Sequence, residues 1–429
     1  MDGQTHKDVK RHNRVFRDPK SKKTKTALVL AGGGLTGCMY EVGALCAIDE
    51  MLVGHNVLDF DIYVGTSAGS LVAAMIANGF SAQEAMEIIQ DRHPDIDSFG
   101  VGDIFYANYD GLLRRMAKIP MVLFNIGREL LYLREAAVSD IIWELGQLLP
   151  TGLYNGLSVE RFLQRVLLEN GYTNQFDRLQ KELYIVATEL DSGNRAVFGP
   201  NHTMGVPISQ AVAASSAVPL LFRPFQIGNK DYVDGSLHGA ASLDLAIEAG
   251  AELIVCINPL VPLDAERTHP GERYVRTHGL HTVANQTLRT LMHSTLRYHI
   301  KNLRAKYPQV DIILIQPQWD DQRMFAYNPM HYRSRHQVAE HGFASVISGF
   351  IHNIDYFRTI LARHDIQITK TRTVRQMTLS EYESEHQAIA ALPILPEPIA
   401  TPVADLRTTL DKLEQTLQKV DELCLQASL

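Results

Sequence analysis

Short apolar runs recur along this chain, each bounded by glycine or polar residues and followed by a helix-length stretch. Ala27-Leu28-Val29-Leu30 precedes a helical pattern over Cys38–Glu50, and Asp61-Ile62-Tyr63-Val64 precedes another over Ser70–Asn78. A run that is apolar at every position suits a strand buried on both faces, as in a parallel sheet. Further helices are expected over Ser81–Asp91 and over Ser158–Asn170, where Ser158-Val159-Glu160-Arg161 suits a capped start, and a strand over Leu183–Ala187. Leu243–Gly250 reads as a helix stopped by glycine, Ala251–Ile257 as a buried strand, and Thr282–Lys306 as a long helix. A strand over Asp311–Gln316 and an apolar helix over Ser334–Arg363 follow. Strands alternating with helices predict an α/β domain with a mostly parallel sheet.

The alternation is interrupted over about 99–156, where Phe105, Tyr106, Tyr109, Met121, Phe124, Leu130, Tyr132 and Trp143 lie in helical stretches broken by Gly102, Gly111, Pro120 and Gly152. This predicts a helical insertion. Such apolar stripes either pack on the domain core or, beside a lipid-handling site, border an acyl-chain cleft or touch a membrane. Trp319–Arg335, with Met324, Phe325, Tyr327, Met330 and Tyr332, poses the same choice on a smaller scale. Pro393, Pro396, Pro398 and Pro402 mark a linker over 371–403. Beyond it Leu406, Leu410, Leu413, Leu417, Val420 and Cys424 recur at heptad spacing in an amphipathic helix over 404–429. About three heptads are marginal alone, so this helix either docks on the domain at 24–370 or adds to a homo-oligomer contact.

Composition narrows the class. A 429-residue chain with 45% hydrophobic and 21% charged residues can bury the large core of a globular enzyme. A formal charge of −7 disfavours general nucleic-acid binding. The first 25 residues nevertheless hold nine Lys or Arg against three Asp, so 1–23 is expected to be a flexible, solvated basic arm. That arm lacks the apolar core of a secretory signal, and nowhere do 18 uncharged apolar residues run together. A cytoplasmic protein, soluble or peripheral at a membrane, is expected. Cys38, Cys46, Cys256 and Cys424 are scattered without metal-ligand spacing and read as reduced thiols, with no metal site.

Chemistry enters at Gly65-Thr66-Ser67-Ala68-Gly69, where a strand runs through Gly-x-Ser-x-Gly into a helix. That is the pattern of a nucleophile elbow, with Ser67 at its exposed apex. An ordinary glycine turn whose serine caps the helix would show the same five residues. Upstream, Ala31-Gly32-Gly33-Gly34-Leu35-Thr36-Gly37 makes a second strand-to-helix turn. Its uncovered amides suit a phosphate or the oxyanion of a tetrahedral intermediate. Gly32, Gly34 and Gly37 also fit a dinucleotide fingerprint, with Asp59 or Asp61 as the ribose acid. Against that, the second strand continues into the serine elbow instead of ending at the acid.

The motif order resembles that of the patatin-like phospholipase family over much of Thr24–Pro259. The glycine motif is similar to Gly32–Gly37, the serine elbow to Gly65–Gly69, the Ala-Ser-x-x-x-Pro segment to Ala214–Pro219, and the Asp-Gly pair to Asp234-Gly235. Leu183–Gly193 looks like the family's strand and hairpin between them. The resemblance implies a three-layer α/β/α sandwich and a serine-aspartate dyad without cofactor or metal. In it Asp234 takes the proton of Ser67, which attacks the ester of a lipid substrate and forms an acyl-enzyme. The resemblance also makes Gly32, Gly33 and Gly34 the oxyanion hole, supported by Gly37, Gly65, Gly69 and Gly235. A normal aspartate is a weak base, so its site must be desolvated enough to raise its basicity.

One departure bears on competence: Thr36 stands where the family usually carries Arg or Lys, leaving backbone amides to stabilise the oxyanion. A lipid-binding protein that has lost turnover is therefore an alternative. Another is an α/β-hydrolase with a Ser-His-Asp triad, for which His238 is the nearest histidine in sequence after Asp234.

Overall fold

The structure, a computed structural model, describes residues 24–96, 100–104, 106–108, 121, 150–202, 205–327, 330 and 332–369. Thr26–Leu30 forms β1 and Gly34–Met51 α1, followed by β2 (Leu52–Val53), β3 (Ile62–Thr66), α2 (Ala68–Asn78) and α3 (Ala82–Ile89). Next come β4 (Gly152–Tyr154), α4 (Leu157–Glu169), β5 (Glu182–Glu189), β6 (Arg195–Phe198) and α5 (Ile208–Ser215). Then β7 (Leu220–Phe222), β8 (Phe225–Ile227) and β9 (Lys230–Asp234) lead to α6 (Leu243–Glu248) and β10 (Leu253–Ile257). The long α7 (Gly279–Lys306), β11 (Asp311–Ile315), α8 (Arg335–His352), α9 (Ile354–Ala362) and β12 (Gln367–Ile368) complete the described elements that shape the domain.

The main sheet has the order β11-β10-β1-β3-β5-β9-β8, with β6 also on β5. From β11 through β5 the neighbours are parallel, while β9, β8 and β6 pair antiparallel. Two-residue alternation splits each central strand between two cores. Leu28, Leu30, Tyr63 and Ile185 join one cluster with residues of α1, α2, α3, α4, α5, α8 and α9. Ala27, Val29, Val64 and Val186 join the other, with residues of α6 and α7. This is the three-layer α/β/α arrangement that the resemblance implied, and it covers both faces of the central strands, which explains their apolar runs. α1 lies between the sheet and α8, and the helices approach so closely that Gly43 faces the Ala339 carbonyl and Gly342 the Tyr40 backbone. Even Glu41 is consequently buried.

Some boundaries differ from expectation. α1 begins at Gly34 and takes in Thr36 and Gly37, since low glycine propensity disguises a helix start that packing enforces. α4 is capped at Gly156 rather than by Ser158, with Asn155 Oδ1 accepting from Leu157 N–H. The single helix expected over Ser334–Arg363 is broken at Asn353, whose amide and side chain both donate to the Gly349 carbonyl. The end of the expected helical insertion is strand instead: Gly152–Tyr154 pairs with Leu220–Phe222. Most of that insertion, the basic arm at 1–23, the linker at 371–403 and the helix at 404–429 lie outside the described residues. No helix among the described residues is long and apolar enough to cross a membrane.

Candidate active site

β5 acts as the ruler of the site. It pairs with β3 up to Thr66 opposite Val186, and its next residue, Ala187, lies opposite Asp234 at the end of β9. Adjacent positions on one strand thus bring Ser67, which follows Thr66, beside Asp234, 167 residues further on. Asp234 is the last residue of β9, so the ladder fixes its backbone. Its amide donates to the Ala217 carbonyl at 3.0 Å and its carbonyl accepts from Thr188 Oγ1 at 3.0 Å.

Ser67 caps α2 with φ 54° and ψ −130°, a backbone state that costs a non-glycine residue roughly 1–3 kcal/mol. Serines hold it there. Ser67 N–H donates to Ser215 Oγ at 2.8 Å, and Ser215 donates in turn to the Val186 carbonyl at 2.6 Å. The Ser67 carbonyl accepts from Ser70 Oγ at 2.5 Å and Ser216 Oγ at 3.2 Å. The Ala214–Pro219 segment was recognised by its order in the chain, but this clamp was not read from it. Two glycines are required by close approach. A Cβ at Gly69 would lie 2.6 Å from the Leu30 carbonyl oxygen, and one at Gly32 would overlap Ser236 Oγ and come 3.2 Å from Ser67 Cβ. Gly65 packs against Ser70, Gly235 against the Val186 carbonyl, and Gly37 against Pro259.

Ser67 Oγ donates to Asp234 Oδ2 at 2.5 Å, and Asp234 Oδ1 accepts from Ser236 N–H at 2.8 Å. Both side chains are buried: Ser67 is 3% and Asp234 4% exposed. The apex expected to be exposed therefore reaches solvent only through a cavity. Burial raises the Asp234 carboxyl above the ordinary aspartate range, outweighing the hydrogen bonds from Ser67 and Ser236 that pull it down. This is the direction a carboxylate base needs.

The glycine run divides its labour. Gly32 N–H is bonded to the Ala240 carbonyl at 2.9 Å, whereas Gly32 was expected among the oxyanion donors. The amides of Gly33 and Gly34 donate to no described residue, and Gly34, at φ 63°, opens α1 and lines the Ser67 cavity. Ala68 N–H, at the start of α2, is equally unengaged, and Ala68 also lines the cavity. It was not singled out from the sequence, although the residue after an elbow serine is a recurrent oxyanion donor. Thr36 is fully buried and its Oγ1 has no hydrogen-bond partner among the described residues.

A partly open cavity of about 70 Å³ lies beside Ser67, bordered by Leu35, Cys38, Leu71, Val159, Phe162, Val218, Phe222 and Met330. Its walls are nearly all apolar, as in sites that take an organic ligand. Of the aromatic-rich stretch at 319–335, Met330 borders this cavity, whereas Phe325 is packed and buried. His238 is exposed, and no histidine among the described residues bonds Ser67 or Asp234. Among the described residues no group of three or more His, Cys, Asp or Glu side chains is placed to hold a metal ion.

A family model described as patatin-like phospholipase matches residues 28–247. The chain is 27% identical over 221 residues to uncharacterized protein YqhO of Bacillus subtilis, covering 49% of this chain and 62% of that one. To the probable lipid hydrolase 463L of Invertebrate iridescent virus 6 it is 22% identical over 230 residues, covering 54% of this chain and 65% of the relative. The matched region thus spans less than two thirds of either relative. Among solved structures, VipD from Legionella pneumophila aligns over 86% of this chain and 75% of its own, with 14% identity and a TM-score of 0.36.

Proposed function

The chain belongs to the patatin-like phospholipase family, and we propose that it hydrolyses lipid esters, as a phospholipase A or acylglycerol esterase, through a Ser67–Asp234 dyad. The observation that carries this is the buried 2.5 Å hydrogen bond from Ser67 Oγ to Asp234 Oδ2 beside an apolar cavity. Asp234 accepts the Ser67 proton as Oγ bonds to the ester carbonyl carbon. The amides of Gly33, Gly34 and Ala68 receive the oxyanion, a contribution of about 3–4 kcal/mol per well-placed donor in comparable sites. Collapse breaks the ester C–O bond, and the proton on Asp234 passes to the departing alcohol. Water then repeats the sequence on the acyl-enzyme, releasing the fatty acid and restoring Ser67.

A fluorophosphonate probe and a panel of ester substrates, each applied to the wild type and to Ser67→Ala, test the assignment. Labelling and turnover that both vanish in the variant support it. A protein that binds lipid yet takes no label would instead be the turnover-deficient lipid binder that Thr36 left open. An exposed His238 gives the Ser-His-Asp alternative no support.

Contact with a lipid surface belongs to the same proposal. Leu220 has φ 73° and is 85% exposed, on the strand that pairs with Gly152–Tyr154 and carries the cavity residue Phe222. Exposed Leu153 and Tyr106 adjoin it, through β4 and through the Tyr106 carbonyl that accepts from Asn155 N–H. Apolar and aromatic side chains at the rim of an acyl cavity gain most by entering lipid. Leu220→Asn is expected to weaken co-sedimentation with vesicles and to lower the preference for aggregated over monomeric substrate. Equal sedimentation of the two proteins would leave the rim as a solvent-facing surface.

A further inference from the structure

α7 has two opposite faces. Arg289, His293, Leu296 and Ile300 are buried against the domain, whereas Leu280, Ala284, Leu288, Leu291, Thr295 and Tyr298 are exposed. At about 100° per residue the exposed six fall within an arc of about 80°. Leu280 is 85%, Tyr298 68% and Leu291 61% exposed. A helix on a domain surface ordinarily turns polar residues outward, so a continuous apolar stripe marks a contact with another apolar face. α7 also carries no acidic residue, while Arg297, Lys301, Arg304 and Lys306 are all exposed on its second half.

The segment 404–429, outside the described residues, has the matching pattern in its sequence. Leu406, Leu410, Leu413, Leu417, Val420 and Cys424 span 18 residues, the same separation as Leu280 to Tyr298. On a helix either stripe is about 27 Å long. The charges are complementary as well, since the segment holds five Asp or Glu against three Lys or Arg. We propose that 404–429 docks as a helix along the exposed stripe of α7 in the same chain, covering the domain on that face.

The connection is long enough. The described residues end at Thr369, on the edge of the sheet where α7 also ends: Asp311, at the start of β11, accepts from Arg363 at 2.7 Å and from His364 at 2.9 Å. Residues 370–403 number 34. At about 3.3 Å each they extend to about 110 Å, against about 42 Å for the length of α7. Either end of the stripe is therefore within reach. Tethering raises the local concentration of the segment to about millimolar, so docking within one molecule outcompetes pairing between copies at micromolar protein. The stripe also borders the turn that follows Asp234, because a Cβ at Gly239 would lie 3.9 Å from Thr295 Cγ2, and Leu237 on that turn is exposed.

Cysteine pairing in the full chain tests the docking. Cys38 and Cys256 are buried and Cys46 half-buried, which leaves Cys424 to pair with a thiol introduced on α7. Leu280→Cys and Tyr298→Cys mark the two ends of the stripe, and Arg161→Cys, exposed on α4 across the sheet, is the control. Mild oxidation is expected to close a disulfide to Cys424 within one chain in one of the two stripe variants and not in the control, and the end that reacts gives the direction of docking. Amide exchange over 405–424, read by mass spectrometry, measures the contact. Burying one leucine changes an equilibrium about tenfold or more, so exchange should quicken by at least that factor in Leu291→Asp and, from the other side of the contact, in Leu413→Asp. Thermal melts verify that the variants are folded. No disulfide at either end, with exchange equal in the wild type and both variants, would overturn the proposal. A disulfide between chains, or dimers that Leu291→Asp dissociates, would overturn it in favour of a second copy. Vesicle co-sedimentation lost in Leu291→Asp, with exchange unchanged, would overturn it in favour of a lipid surface.

Discussion

Replacing Asp234 by Asn removes the base and almost nothing else. The amide is isosteric with the carboxylate, so its oxygen can still accept from Ser236 N–H and its NH2 can still face Ser67 Oγ, now as a donor. It cannot take the serine proton. General-base assistance contributes about 10²–10⁴-fold, so kcat/KM is expected to fall by that factor, about 3–5 kcal/mol of transition-state stabilisation. Stability should move the other way. Burial raises the Asp234 carboxyl above its ordinary value, so its contribution to folding is full below the unfolded pKa and is lost as pH rises through the folded one. The amide has no such loss. Melting temperatures of the two proteins should therefore diverge in favour of the variant as pH increases from about 4 toward neutrality. The wild-type acid limb of kcat/KM should lie above the ordinary aspartate value near 3.9 and be absent from the residual activity of the variant. His238→Ala, changing an exposed side chain, should retain most activity. A folded Asp234→Asn protein with more than about a tenth of wild-type activity, or a His238→Ala loss as large as that of Ser67→Ala, would refute the dyad on the magnitudes above.

Ser67→Ala should abolish fluorophosphonate labelling while the protein stays folded. It also takes away the donor bonded to Asp234 Oδ2, a stability change of about 1–3 kcal/mol readable by denaturant titration. Ser215→Ala removes the acceptor of the Ser67 amide and a donor to the Val186 carbonyl, so it should cost about 1–3 kcal/mol of stability and lower kcat more than it changes KM. Ser215→Thr, which restores a hydroxyl, should recover part of the kcat loss; no recovery, with kcat and KM equally affected, would argue against a positioning role. Glu41 is wholly buried on α1, where burial outweighs the Ala31 backbone amide and pushes its carboxyl well above the ordinary range. Glu41→Gln should therefore gain on the wild type by up to about 1.4 kcal/mol per pH unit above the unfolded value, and a stability difference independent of pH would show that Glu41 is not protonated in the fold.

The strand-helix alternation and the elbow at Gly65–Gly69 were legible in residue order alone, and the resemblance of the chain's motifs to a family pointed to Ser67 and Asp234. A strand covered on both faces must be apolar throughout, and a strand-to-helix turn that crosses a neighbouring backbone must carry glycine, so both features are written locally. Tertiary structure decided which of these groups meet and in what state. Ser67 and Asp234 become neighbours because Val186 and Ala187 are adjacent on β5, and strand pairing across 167 residues follows from packing both faces of the sheet rather than from any local pattern. The use of the Gly32 amide on Ala240, the Ser215 clamp and the burial of the elbow serine have the same origin. Each depends on groups distant in the chain, and only their assembly out of water makes the Asp234 carboxyl a stronger base than its sequence alone would indicate.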